Sequence, residues 1–255
     1  MTLKPSATLF AAAKGDPMTR IAIARFAAPT LAAALCAGMI LSSLALGAET
    51  HTTPAPTAAP TASMALQNLV DGNQRFIAGT PRHRHESAAY RHELAASQHP
   101  FATILACSDS RVPVEKVFDQ GFGDVFVVRV AGNVVGVYDL GSIEYAVHHL
   151  HTPLVLVMGH ESCGAVTSAL LSETDRQREA GAIQELLNQI VPALTDLDPS
   201  LSQAERVHRG VEANVRQSVR QLQATADLMQ PGEGDAPMIV GAVYDLVTGK
   251  VRLLK

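Results

Sequence analysis

FATILACSDSRVP, residues 101–113, and PLVLVMGHESCG, residues 153–164, decide how the chain folds. Each opens on a short apolar run, FATILA or LVLVM, with the length and make-up of a buried strand. Each then turns over into polar residues. Cys107 follows the first run, and His160 and Cys163 follow the second. Two thiols and an imidazole are ligand types that zinc takes. Asp109 and Arg111 stand beside the first cysteine, an acid and its natural clamp.

Working outward, DVFVVRVAG (124–132) reads as another buried strand, and MIVGAVYDLVTGKVRLL (238–254) as a strand, a turn at Thr248 and Gly249, and a short return. VPVEKVFDQ (112–120) and LGSIEYAVHHLH (140–151) read as helices between the strands. Further helical segments start at Cys163 and cover 181–195 and 203–229. MALQNLVDGNQRFIAG (64–79) is an amphipathic helix, with Ser63 as its expected N-cap and Gly79 as its stop. The His-rich stretch that follows, TPRHRHESAAYRHELAASQHP, reads as solvated surface. Strands alternating with helices predict an α/β fold, a central and mostly parallel β-sheet flanked by helices.

The N-terminal quarter has a different character. Arg20 and Arg25 precede an uncharged run, FAAPTLAAALCAGMILSSLALGA, residues 26–48. Basic residues, an apolar stretch and a small-residue end predict a signal peptide over 1–48, with Met18 as an alternative start. The protein is then exported, to a periplasm-type compartment. The run is longer than most signal cores, so a membrane anchor through 26–48 is the alternative. Residues 49–62 form a tether rich in Pro, Thr and Ala, and 63–255 form the folded domain. The formal net charge of −4 gives no basic footprint for nucleic acid.

Loss of the leader also removes Cys36. The two remaining cysteines, in an oxidising compartment, invite a structural disulfide. That reading leaves His160, Asp109 and Arg111 unexplained. If the chain stays extended past Ala106, then Cys107, Asp109 and Arg111 project from one side. On the first turn of a helix, His160 and Cys163 share one face. Sites in open parallel sheets form beyond the carboxyl ends of strands, where both runs end. Gly159 and Gly164 flank the second pair and suit a tight backbone approach. Two Cys and one His fall one ligand short of a closed structural zinc site. The fourth place is left for water, unless Asp109 fills it.

Cys107-x-Asp109-x-Arg111 followed by His160-x-x-Cys163 resembles the β-class carbonic anhydrases. The resemblance runs from about residue 63 to 254 and includes ALQNLVDGNQRF, VFVVRVAGN, GSIEYAVHHL and IVGAVYDLVTG. It implies one zinc ion per chain, held by Cys107, His160 and Cys163. It implies that water or hydroxide in the fourth position attacks carbon dioxide to give bicarbonate. Asp109 would accept a hydrogen bond from that oxygen, and Arg111 would hold Asp109 ionised. Gln98, Phe126 and Tyr145 would line the substrate pocket, at the interface of a homodimer or larger homo-oligomer. The family also has a closed form in which the Asp takes the water's place. In one subgroup a pocket built on Trp stabilises that form. The chain has no Trp, so the open form is expected, with Asp109 an occasional ligand. Two thiolates neutralise the ion, so its water should be less acidified than beside three imidazoles, and activity should rise through alkaline pH. A carbon disulfide or carbonyl sulfide hydrolase would reuse the same site. A non-catalytic zinc-binding protein would not need Asp109 and Arg111 intact.

Overall fold

The computed structural model describes residues 59–230 and 235–255. The expected signal or anchor, and most of the tether, lie outside these residues. Among the described residues no helix is long and apolar enough to cross a membrane.

Five strands make one sheet: β1 (Ala102–Ala106), β2 (Val125–Arg129), β3 (Leu154–His160), β4 (Met238–Tyr244) and β5 (Val251–Leu253), in the order β2-β1-β3-β4-β5. β1 to β4 run parallel, and β5 returns antiparallel to β4. The helices are α1 (Ala62–Ala78), α2 (Ala88–Glu93), α3 (Val114–Val117), α4 (Val137–Leu150), α5 (Gly164–Ala169), α6 (Glu173–Arg176), α7 (Gly181–Ile190), α8 (Gln203–Gln223) and α9 (Ala226–Met229). The mostly parallel, helix-flanked sheet read from the sequence is the fold observed.

Every residue of β1 and β3 is buried. Both faces of the sheet are covered, so these strands are nearly continuous apolar runs rather than alternating, broken by Thr103, whose hydroxyl bonds that of Thr152, and by His160 at the end of β3. On one face Leu105, Val128, Val155, Val157 and Val243 pack against Ile143 and Val147 of α4, Val166 of α5, Ile190 of α7 and Val211 and Val215 of α8. On the other, Ile104, Leu156 and Met158 pack against Ala65 and Leu69 of α1 and Val114 and Val117 of α3. Each such buried aliphatic side chain contributes about 1.5–3 kcal/mol relative to exposure.

Thr61, not Ser63, caps α1: its backbone is extended and its side chain accepts from Met64 N–H. Gly79 ends the helix as expected, in the left-handed conformation at φ 67°. In the His-rich stretch, His83 pairs with Glu86 and His85 with Asp124.

The strand order positions the site. From β1 the chain crosses to β2 on one side, then returns to β3 on the other. The order therefore reverses between β1 and β3, and the carboxyl ends of strands at such a switch point are where open parallel sheets place their sites. Both ligand-bearing segments leave the sheet there. Gly159 lets α8 lie close: a Cβ on it would stand 2.6 Å from Val215 Cγ2. Gly164 has no such role, since a Cβ there would meet nothing within 4 Å.

Candidate functional site

β1 and β3 are direct neighbours, with Ala106 opposite Met158. Cys107 leaves β1, His160 is the last residue of β3, and Cys163 is the N-cap of α5. The ligand atoms of these three residues lie within 4.8 Å of one another. The residues are 4%, 0% and 1% exposed, so all three ligands are buried. Both cysteines are free thiols, which removes the disulfide alternative.

The local geometry differs from the sequence expectation in two places. The chain does not stay extended past Ala106. Val112 N–H donates to Asp109 O at 3.0 Å and closes a turn. The Asp109 carboxylate stabilises that turn by accepting Arg111 N–H at 2.9 Å. Nor do His160 and Cys163 share a helical turn. Ser162 between them is left-handed, at φ 55°, and this kink brings Cys163 back toward His160.

The donor set fits a metal ion. His160 Nδ1 lies 2.9 Å from Glu161 O and, carrying the proton, donates to it. That leaves Nε2 with its lone pair directed inward, and this atom is buried with no hydrogen-bond partner. An orphaned buried acceptor is costly unless something fills the place opposite it. Gly132 N–H donates to Cys107 Sγ at 3.3 Å. A hydrogen bond between the two cysteines pushes the Cys107 thiol down, opposed by burial and aided by Gly132 N–H, and pushes the Cys163 thiol up. Without a cation the pair thus favours a single thiolate, at Cys107, whereas a bound cation would take both sulfurs as thiolates.

Asp109 stands at the rim, with Oδ2 3.8 Å from His160 Nε2. Arg111 grips it with two parallel donors, Nε to Oδ1 at 2.9 Å and Nη2 to Oδ2 at 2.7 Å. This fork, together with the Arg111 backbone N–H, holds the Asp109 carboxyl far below the usual carboxylate range. Phe126 of β2 and Tyr145 of α4 meet with ring centroids 6.2 Å apart. Phe126 packs on the same face of the sheet as Cys107 and Cys163. Gln98 is not brought to this group. It is exposed on the connection that enters β1, whereas Cys107 leaves the strand.

Several supporting residues went unread in the sequence. Arg129 donates to Cys107 O at 3.1 Å and to Asp109 O at 2.7 Å. Asn214 donates to Gly132 O at 2.7 Å, and Ser218 to Asn133 O at 3.0 Å, so α8 holds the loop that caps Cys107. The available signals were an Arg ending the apolar strand VFVVR, and Asn and Ser on the apolar stripe of α8.

A buried Cys-His-Cys cluster at the switch point of a parallel sheet defines a metal-site α/β protein. The carbonic anhydrase family model matches residues 102–251, and the chain belongs to that family, in its β class. The chain is 40% identical over 191 residues to carbonic anhydrase 2 of Mycobacterium tuberculosis, covering 74% of this chain and 91% of that protein. Among solved structures it is similar to the β-carbonic anhydrase of Coccomyxa in complex with acetazolamide, at 27% identity and a TM-score of 0.61, over 74% and 86% of the two chains. It is also similar to the β-carbonic anhydrase CafA of Aspergillus fumigatus, at 28% identity and a TM-score of 0.57, over 76% and 90%. The protein is a carbonic anhydrase, a lyase that hydrates carbon dioxide reversibly.

Proposed function

We propose that Cys107, His160 and Cys163 hold one zinc ion per chain and that Asp109 and Arg111 orient the attacking water. The observation that carries this reading is the buried, partnerless Nε2 of His160, directed in among two free thiols. Zinc bound there supplies a Lewis acid that lowers the pKa of water.

The side chains do the rest. Asp109, held ionised by Arg111, is an acceptor at neutral pH. It takes a hydrogen bond from the water and so aims the lone pair at the carbon of carbon dioxide. A carboxyl held this low does not store the proton, which passes on to solvent and buffer. Because Arg111 engages both oxygens of Asp109, the acid is drawn toward the rim, which supports the open form over the one in which it becomes a ligand. Phe126 and Tyr145 offer an apolar wall to a substrate without donors. Tyr145 is 48% exposed in one chain, and Gln98 is remote from its own cluster. A homodimer or larger assembly supplies the missing cover, with Gln98 entering from a second copy. The basic residues and uncharged run of the first 48 residues support export to a periplasm-type compartment. The tether then runs from 49 to just before Thr61, which caps α1 and so opens the catalytic domain, with an anchor through 26–48 as the alternative arrangement.

Metal analysis and stopped-flow assays with carbon dioxide and carbon disulfide side by side test the proposal. About one zinc per chain is expected, with carbon dioxide the faster substrate. Asp109→Asn should lose roughly 100-fold or more in rate while keeping its zinc. A metal-free, active protein, or an undiminished Asp109→Asn variant, would refute it. Faster turnover of carbon disulfide would reassign the substrate.

A further inference from the structure

We propose that Arg129 is a positioning residue for carbon dioxide hydration: it ties the Cys107–Asp109 loop to the neighbouring strand and thereby fixes Asp109 against the metal cluster. The inference rests on the orienting role of Asp109 given above.

Arg129 is the last residue of β2, opposite Ala106 of β1. The ladder continues one step further, with Val130 N–H on Ala106 O at 3.1 Å and Ser108 N–H on Val130 O at 3.3 Å. Past that point the loop leaves the sheet. The Arg129 guanidinium reaches across to it, with Nε donating to Cys107 O at 3.1 Å and Nη2 to Asp109 O at 2.7 Å. Asp109 O accepts Val112 N–H as well. The two peptide planes that bracket Ser108 and Asp109 are therefore held from the next strand. Among the described residues Arg129 forms no ion pair with a carboxylate.

Arg111 cannot do this work. It lies two residues from Asp109 in the same loop, and its donation to the second ligand segment, at Ser162 O, is long at 3.5 Å. Arg111 sets the carboxylate relative to its own loop. Arg129 sets that loop relative to the sheet, and so relative to His160, whose Nε2 is 3.8 Å from Asp109 Oδ2. A guanidinium suits the task because its planar fork serves two carbonyls at once; a lysine ammonium is a point donor. Small misplacements of an orienting group cost rate far out of proportion to their size.

Arg129→Gln, Arg129→Lys and Asp109→Asn test the assignment, read by zinc per chain, by kcat and KM for carbon dioxide, and by the visible spectrum of the cobalt-substituted protein. Arg129→Gln should keep about one metal ion and a KM within about twofold, while kcat falls roughly 10- to 100-fold and the cobalt spectrum shifts. Arg129→Lys, which keeps one donor and the charge, should recover part of the loss. Parent-like kcat and spectrum in Arg129→Gln would overturn the inference. So would a loss of kcat that merely follows a loss of metal. If Arg129→Gln does not fold, Arg129→Lys is judged by the same criteria, with a partial fall in kcat expected. Asp109→Asn separates the layers. If it stays active, the reading of Asp109 fails. If it is inactive while Arg129→Gln is parent-like, the positioning role alone fails.

Discussion

Replacing Gly159 by Ala would put a Cβ 2.6 Å from Val215 Cγ2, 3.1 Å from Val211 Cγ1 and 3.4 Å from Asn133 Oδ1. Comfortable carbon contacts are about 3.5–4.0 Å, so the nearest is short by roughly 1 Å. Neither valine can swing away. Both are buried, and β-branched side chains on a helix have little χ1 freedom. α8 must move off β3, or β3 must bow. Overpacking of this kind costs about 1–3 kcal/mol. Removing glycine from the unfolded chain returns about 0.4–1 kcal/mol, so the clash wins. For a domain of this size the melting temperature should fall by roughly 2–4 °C per kcal/mol. Thermal and urea denaturation of the zinc-loaded protein measure the effect. Val215→Ala opens the space, so the double variant should be more stable than the sum of the single changes predicts, by about 1 kcal/mol. A Gly159→Ala protein as stable as the parent, or a double variant that is simply additive, would refute the reasoning. Because α8 also carries Asn214 and Ser218, which hold the loop over Cys107, the same variant should release its metal more readily.

Cys163→Ser should lose its metal on dialysis against a chelator that leaves the parent loaded, since an alcohol replaces a thiolate; equal retention would remove Cys163 from the ligand set. Asp119 offers a test in pH. Burial raises its carboxyl, but donation from Arg75 and from Arg82 N–H outweighs that and leaves it lowered. A lowered carboxyl contributes stability above its unfolded pKa, near pH ~4, and loses it as pH falls through the folded value. Asp119→Asn should therefore be less stable than the parent at neutral pH, with the gap closing in acid. The backbone there is left-handed, at φ 49°, a conformation asparagine also tolerates, so it adds little to the difference. A gap that stays constant from neutral pH into acid would contradict the assignment.

The strands and ligand types were legible because burial on both faces imposes nearly continuous apolar runs, and because Cys107, His160 and Cys163 stand where those runs end. The path between the ligands was not. An extended continuation after Ala106 and a helical turn from His160 are both reasonable from spacing alone. The turn at Asp109 is instead held by its own side chain and by Arg129, twenty residues on in the sequence. The bend at Ser162 requires a positive φ that nothing in its side chain announces. Contacts such as Asn214 to Gly132, separated by 82 positions, exist only once α8 lies on the sheet. Gln98 shows a different limit, because one chain does not bring it to its own cluster.

The pairing of β1 with β3 bears on how the protein is made. Cys107 and His160 are separated by α3, β2 and α4, so joining them closes a loop of roughly fifty residues. Non-local parallel pairing of this kind forms slowly. The complete three-ligand cluster therefore exists only once β1 and β3 have paired. Until then Cys107 and Cys163 lack the burial that encloses them in the folded chain.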